Sequence, residues 1–241
     1  MVVIGKMGQE VIKQMDQYDD LILLGGYDKE NTGTFSFPVY TSLSEITEKP
    51  DVIIDFSIPV ATLNILEYAK QYNVPVVIAT TGFSKEQEDL ILEYSKSIPI
   101  FKSANMSFDI YLMTKILKTV AKELKGTDIE ISETHHNRKI DSPSGTALLL
   151  ANSINDALDN SLEYNLDRHQ KREKRSNTEI GFSSIRGGNI VGEHTVYFFG
   201  QNETFEISHK AYSRSIFADG AIKAAKFIVN KDCGMYSMES L

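Results

Sequence analysis

"DVIIDFSIPVATLNILEYAKQYNVPVVIATTG", Asp51–Gly82, sets two short apolar runs on either side of an amphipathic segment. "DVIIDFS" (Asp51–Ser57) and "VPVVIATTG" (Val74–Gly82) close on Ser, Thr or Gly, as strands of a buried parallel sheet do. Between them, "ATLNILEYAKQY" places Leu63, Leu66 and Ala69 on one helical face. Strand, helix and strand in this order predict a parallel sheet covered by helices. Upstream, "LILLGGY" (Leu21–Tyr27) reads as another such strand, and "MGQEVIKQMDQY" (Met7–Tyr18) gathers Val11, Ile12 and Met15 on one helical face.

After Ala104 the pattern changes. "FDIYLMTKILKTVAKELKG" (Phe108–Gly126) predicts a long helix closed by a C′-type glycine, Gly126, and "DIEISETHH" (Asp128–His136) predicts the strand that follows. "NTEIGFSSIRGGNIVGEHTVYFFGQNETFEISHKAYS" (Asn177–Ser213) alternates, with turn glycines at Gly187-Gly188 and Gly200-Gln201-Asn202, and predicts an antiparallel β-meander in a second domain. "IFADGAIKAAKFIVN" (Ile216–Asn230) predicts a final amphipathic helix that returns to the first domain.

Composition narrows the function classes. A chain of 241 residues with 41% hydrophobic and 24% charged residues has the material for two modest folded domains. Its net charge of −8 argues against nucleic-acid or anionic-membrane partners, which recruit basic patches, so any anionic ligand needs a local cluster. The basic run "HQKREKR" (His169–Arg175) reads as a solvated loop rather than as that cluster. One cysteine, Cys233, makes neither an internal disulfide nor a multi-thiolate metal site. Met1–Gly8 has no signal-peptide pattern, and no stretch reaches the ~18 apolar residues of a spanning helix. A cytoplasmic protein is expected.

The cofactor signal begins at "VVIGKMGQEV" (Val2–Val11), where a Gly5–Gly8 turn opens a helix whose first amides suit a pyrophosphate. Asp28 follows an apolar strand twenty residues beyond Gly8, the distance at which an acid meets an adenosine ribose. Lys29 beside it suits a 2′-phosphate, so the pair is compatible with NADH or NADPH. "TTG" (Thr80–Gly82) and "SANMS" (Ser103–Ser107) put small polar residues at the carboxyl ends of strands, where doubly wound sheets bind ligands.

The anion cluster is "HHNRKIDSPSGTA", His135–Ala147. Ser144 or a neighbour caps a helix start whose amides at Gly145 and Thr146 face an anion; Lys139 adds a compact cation and His136 a donor. His135 is the acid/base candidate, because imidazole titrates near neutrality. Adjacent strand residues point to opposite faces, so both histidines serve one site only where the strand has broken. Asp141 is expected to orient the loop. Adjacent histidines chelate poorly and Glu133 with His135 makes only a pair, so no metal is expected.

"ETHHNRKIDSPSGTA" closely resembles the signature of the dihydrodipicolinate reductases of lysine and diaminopimelate synthesis. "GKMGQEV", "DVIIDFS", "ATTGF", "SANMS", "SIRGGNIVGEHTV", "SHKAYSRSIFADGAIKAA" and "GMYSM" are similar to that family's landmarks, in order along the chain. The resemblance implies an α/β fold: a Rossmann-like dinucleotide-binding domain (residues 1–106 and 217–241) and an α+β substrate domain with an open mixed sheet (residues 107–216) that assembles homotetramers. It further implies hydride transfer from NADPH or NADH to an unsaturated cyclic dicarboxylic imine. By position, His135 would be the acid/base residue and Lys139 the proton donor, with His136, Gly145 and Thr146 holding substrate carboxylate. Gly5, Lys6, Met7, Asp28 and Lys29 would line the cofactor site, together with Ala79, Thr80, Thr81, Ala104, Asn105, Met106 and Ser107. Two departures stand out: Ala79 where a glycine is common, and "MVVI", which leaves room for at most a stub of the central first strand. The rival readings are a homoserine-dehydrogenase-like oxidoreductase and a cofactor-binding or oligomeric scaffold with turnover impaired by the short first strand.

Overall fold

The computed structural model describes residues 1–29, 35–169 and 172–241. In chain order the first elements are β1 (Val2–Val3), α1 (Lys6–Met15), β2 (Gly26–Tyr27), β3 (Val39–Tyr40), β4 (Ile53–Asp55), α2 (Pro59–Tyr72), β5 (Val76–Ile78), α3 (Lys85–Ser95) and β6 (Pro99–Lys102). There follow α4 (Phe108–Glu123), β7 (Asp128–His135), α5 (Gly145–Ala157), β8 (Glu163–Asn165), β9 (Glu179–Arg186), β10 (Gly192–Phe199) and β11 (Thr204–Ala211). The chain closes with α6 (Ser215–Ile228) and β12 (Gly234–Tyr236). Two units separate: Met1–Ser107 with Arg214–Leu241, and Phe108–Ser213. No described helix is long and apolar enough to cross a membrane.

The first unit is a parallel sheet in the order β12-β6-β5-β4-β1-β2-β3, so the chain winds outward both ways from β1 and β4. Val76, Val77, Ile78, Ile100 and Phe101 are fully buried, which is why these strands read as unbroken apolar runs. Pro59 opens α2, where its missing N–H costs nothing, and Asn73 ends it in the left-handed region. Ser84 and Gln87 form a reciprocal capping box on α3. The central β1 is a two-residue stub, as "MVVI" implied, and it pairs β2 only at Gly26 and Tyr27. Of Leu21–Tyr27, expected to be strand, Gly26–Tyr27 is strand and Leu21–Gly25 is chain outside the ladder.

The second unit is a five-stranded mixed sheet, β11-β10-β7-β9-β8. The expected meander is corrected here: β9 runs parallel to β7, and β7 separates it from β10. Gly187-Gly188 therefore lies in a loop that crosses the end of β7, while β10 and β11 form a hairpin. Alternation is common to all these strands and does not reveal which neighbour each one takes. Met113 and Leu117 of α4 and Leu150 and Ile154 of α5 pack with Ile129, Ile131, Val196 and Phe198 of the sheet. Both helices thus cover one face. The basic run also departs from a purely solvated loop. Gln170 and Lys171 lie outside the described residues, but Arg175 is clamped by Asp128, Glu130 and the carbonyls of Ile129 and Glu179.

α6 returns to the first unit and packs beside α1, β5 and β6. Gly220 lets it approach: a Cβ there would lie 1.7 Å from the Met106 carbonyl oxygen. Gly220→Ala is expected to destabilise the chain by about 1–3 kcal/mol through overpacking. Urea melts read this directly, and an unchanged midpoint would contradict the close contact.

Candidate active site

Along β7 the side chains of Ile129, Ile131, Glu133 and His135 are buried in turn. The first two join the core beneath the helices, and the last two continue the same row with polar groups that need partners. Glu133, 1% exposed, receives Arg186 as a fork, with Nη1 donating to Oε2 at 2.8 Å and Nη2 to Oε1 at 2.7 Å. Its Oε2 also lies 2.5 Å from His135 Nδ1, and the backbone N–H of Ser144 donates to Oε1 at 3.2 Å. Burial alone would raise the Glu133 carboxyl, but the bonds from His135, Arg186 and Ser184 outweigh it and hold the group well below the usual carboxylate range.

His194 sits opposite Glu133 in the β10–β7 register, and its Nε2 shares a 2.9 Å hydrogen bond with Ser144 Oγ. That oxygen also accepts from the Ala147 N–H at 3.1 Å, which makes Ser144 the N-cap of α5, as its sequence position suggested. The His135 and His194 rings meet edge to face at 5.1 Å. Gly192 lies beside them, and a Cβ there would come within 3.0 Å of His135 Nε2. The bond to Glu133 is made at Nδ1, and Nε2 is the ring nitrogen that lies against Gly192.

β7 ends at His135, and His136 lies just beyond the strand. The loop crossing that end is fastened to it: the Gly187 N–H donates to His135 O at 2.9 Å and the His136 N–H to Ile190 O at 2.8 Å. Lys139 Nζ pairs with Asp141 at 2.8 Å, and Arg186 Nη2 donates to Asp141 O at 2.7 Å. Asp141 thus orients the loop. Gly145 is exposed at the first position of α5 and Thr146 is half-buried beside it. One polar network therefore links His135, Lys139 and the first turn of α5 through Glu133 and Arg186. Among the described residues no group of three metal-ligating side chains is gathered.

In the first unit, parallel strands bring the expected cofactor residues to one edge of the sheet. Gly5 caps α1 with no side-chain bond, the first turn holds no acid, and Lys6 is exposed beside it; this donor set fits a pyrophosphate. Met7 is half-buried in the same turn. Asp28 follows β2, held by its N–H donating to Tyr40 O at 3.0 Å, and Lys29 is exposed. The Ala79 N–H donates to Asp55 O at 2.8 Å, Thr80 Oγ1 accepts from the Ser57 N–H at 2.9 Å, and Thr81 is exposed. Ala104 is exposed, and Asn105 Oδ1 accepts from the Ser107 N–H at 2.8 Å. The Thr80 and Met106 side chains are internal, so these two residues shape the edge with their backbone.

Several residues escaped the reading of the sequence. Asp55, fully buried at the end of β4, accepts from Thr62 Oγ1 at 2.5 Å and from the Ser57 N–H at 2.9 Å; burial pushes its carboxyl up. An acid within the apolar run "DVIID" was its signal. Glu133 reads in the sequence only as a metal partner, and nothing local in "SIRGGNIVGEH" singles out Arg186, Gly192 or His194.

Comparison with known proteins places both units in one family. Family models described as "Dihydrodipicolinate reductase, N-terminus" and "Dihydrodipicolinate reductase, C-terminus" match residues 2–106 and 109–241. A 4-hydroxy-tetrahydrodipicolinate reductase of Caldanaerobacter subterraneus subsp. tengcongensis is 49% identical over 98% of this chain and 94% of its own length. One from Clostridium tetani is 46% identical over 98% of this chain and 93% of its own length. In fold, the chain is similar to a dipicolinate-bound dihydrodipicolinate reductase from Paenisporosarcina sp. TG-14, with a TM-score of 0.80 and 24% identity, covering 100% of this chain and 98% of that one.

The buried network gives stability a pH dependence. Burial first, and the charge of His135 second, lower the His194 pKa from 6.5 to about 3. Between those values the unfolded chain binds this proton and the folded chain does not, so stability falls as pH drops through the interval. Glu133 adds to the loss below its unfolded value of 4.5, since its depressed carboxyl stabilises the fold only while ionised. Urea midpoints are expected to decline from about pH 7 to about pH 4, and His194→Gln, which gains no proton, to flatten the decline. A variant with the parent's slope would contradict the assignment.

Proposed function

The chain belongs to the dihydrodipicolinate reductase family, and from that premise we propose how its own residues carry the reaction. It is an oxidoreductase that reduces 4-hydroxy-tetrahydrodipicolinate to tetrahydrodipicolinate with NADH or NADPH, a step toward diaminopimelate and lysine. Neither a homoserine-dehydrogenase-like enzyme nor a scaffold is favoured by matches that span both units.

Loss of the 4-hydroxyl as water leaves an unsaturated cyclic dicarboxylic imine, to which the nicotinamide, when bound, would supply the hydride. One proton must also reach the substrate for the two-electron reduction to balance. The observation that carries the assignment is His135: Nδ1 is occupied by a buried carboxylate, and Nε2 lies beside Gly192, which has no side chain to cover it. We assign acid/base work to Nε2 and proton donation to the Lys139 ammonium, which meets the anionic substrate by exchanging Asp141 for it. His136 and the first-turn amides of Gly145 and Thr146 hold a substrate carboxylate. In the first unit, Gly5, Lys6 and Met7 take the pyrophosphate, Asp28 the ribose hydroxyls and Lys29 a 2′-phosphate. The ends of β5 and β6, Ala79–Thr81 and Ala104–Ser107, take the nicotinamide half. Dinucleotide binding thus falls to residues 1–106 and 217–241, and substrate binding and assembly to residues 107–216.

The same reading extends to a homotetramer built on the second sheet. The face opposite α4 and α5 displays Ile185 and the stacked rings of Tyr197 and Phe199, an apolar surface suited to self-association. Drawing on the NADH and NADPH pool, such an enzyme works in the cytoplasm.

The chain is expected to oxidise NADH or NADPH only when freshly generated substrate is present. His135→Gln should lower kcat by about 10²-fold while substrate binding changes less, the scale of a lost general acid. Lys139→Ala should impair both binding and turnover. Unchanged kcat would remove His135 from the mechanism. Lys29→Ala is expected to weaken NADPH and spare NADH in titration calorimetry, and equal weakening would refute the 2′-phosphate contact.

A further inference from the structure

The two oxygens of Glu133 meet donors of His135, Arg186, Ser144 and Ser184. Oε2 meets His135 Nδ1 at 2.5 Å and Arg186 Nη1 at 2.8 Å; Oε1 meets Arg186 Nη2 at 2.7 Å and the Ser144 N–H at 3.2 Å. Arg186 and the Ser144 amide can only donate, so the carboxylate is ionised and acts as acceptor at every contact. His135 must then place a hydrogen on Nδ1. In the neutral ring this leaves the lone pair on Nε2, and in the protonated ring Nε2–H is the proton free to leave. Gly192, with no Cβ, leaves room beside that nitrogen.

Resting on the reductase reading, we infer that Glu133 is a positioning residue for the reduction: it locks His135 in the Nδ1–H tautomer and ties it to the Ser144 cap of α5. Only Nε2 then exchanges a proton with substrate, at a fixed offset from the helix turn that holds the substrate carboxylate. A glutamine cannot reproduce this. With its amide NH2 toward His135, Nδ1 must accept and the hydrogen moves to Nε2. With its oxygen toward His135, the NH2 faces the Arg186 and Ser144 donors.

The test uses the full chain with 15N-labelled histidine. Long-range 1H–15N spectra report which ring nitrogen carries hydrogen, and subtraction of the His135→Gln spectrum assigns the signals among five histidines. The unsubstituted chain is expected to show neutral His135 as the Nδ1–H form. Glu133→Gln should shift it to the Nε2–H form and lower kcat by about 10²-fold, with a smaller change in KM. Glu133→Asp, which keeps the charge, should retain the Nδ1–H form and recover part of kcat. An Nε2–H tautomer in the unsubstituted chain overturns the proposal, even where Glu133→Gln fails to fold. So does a Glu133→Gln enzyme with kcat within about twofold of the parent. Absence of turnover in the unsubstituted chain instead overturns the reductase reading, while the tautomer spectrum still decides what Glu133 does to His135.

Discussion

An ionised carboxylate with 1% of its surface in water is the constraint around which the second unit is arranged. Desolvating Glu133 costs several kcal/mol, and the Arg186 fork together with the His135, Ser144 and Ser184 donors offsets it. Removing one partner would leave a buried unbalanced charge, a loss of about 3–5 kcal/mol. Apolar residues in the last two inward positions of β7 would extend the core more cheaply. The chain instead places there an acid, an imidazole and their supports, drawn from β7, β9, β10 and the start of α5. Local stability is given up for a ring nitrogen in a defined state.

Both candidate sites follow the same rule of placement. In the first unit the parallel strands deliver Gly5, Asp28, Asp55, Thr80 and Ser103 to one edge, where backbone groups beyond the last ladder bond are open to a ligand. In the second unit the end of β7 serves as such an edge, because its parallel neighbour β9 finishes beside it. The loop that carries the chain from β9 to β10 crosses that end and fastens to His135 and His136. A simple hairpin between β9 and β10 would leave the strand end bare.

Much of this was legible in the sequence, for reasons that can be stated. Buried parallel strands such as Val76–Ile78 and Ile53–Asp55 advertise themselves as apolar runs, and Pro59, Asn73 and Ser84 mark helix ends by local chemistry. Strand neighbours were not legible. The residue pattern of Glu179–Arg186 names no neighbour, and nothing local chooses between pairing with β10 and pairing with β7. Arg186 and His194 were missed for the same reason, since each acquires its partner only through the register that places it beside β7. His135 and Lys139 stood out because their cluster is contiguous in the chain.

The return of α6 and β12 to the first unit makes the second unit an insertion, and this bears on how the polypeptide is made. A ribosome releases Met1–Ser107 long before it releases Arg214–Leu241. Until then the surfaces on β5, β6 and α1 that α6 will cover stay bare, and β6 has no outer neighbour. Phe108–Ser213, contiguous in the chain, can mature first, while its predecessor waits as an incomplete sheet with an open edge. The interval of greatest exposure to aggregation and to chaperones therefore falls on the nascent nucleotide-binding half.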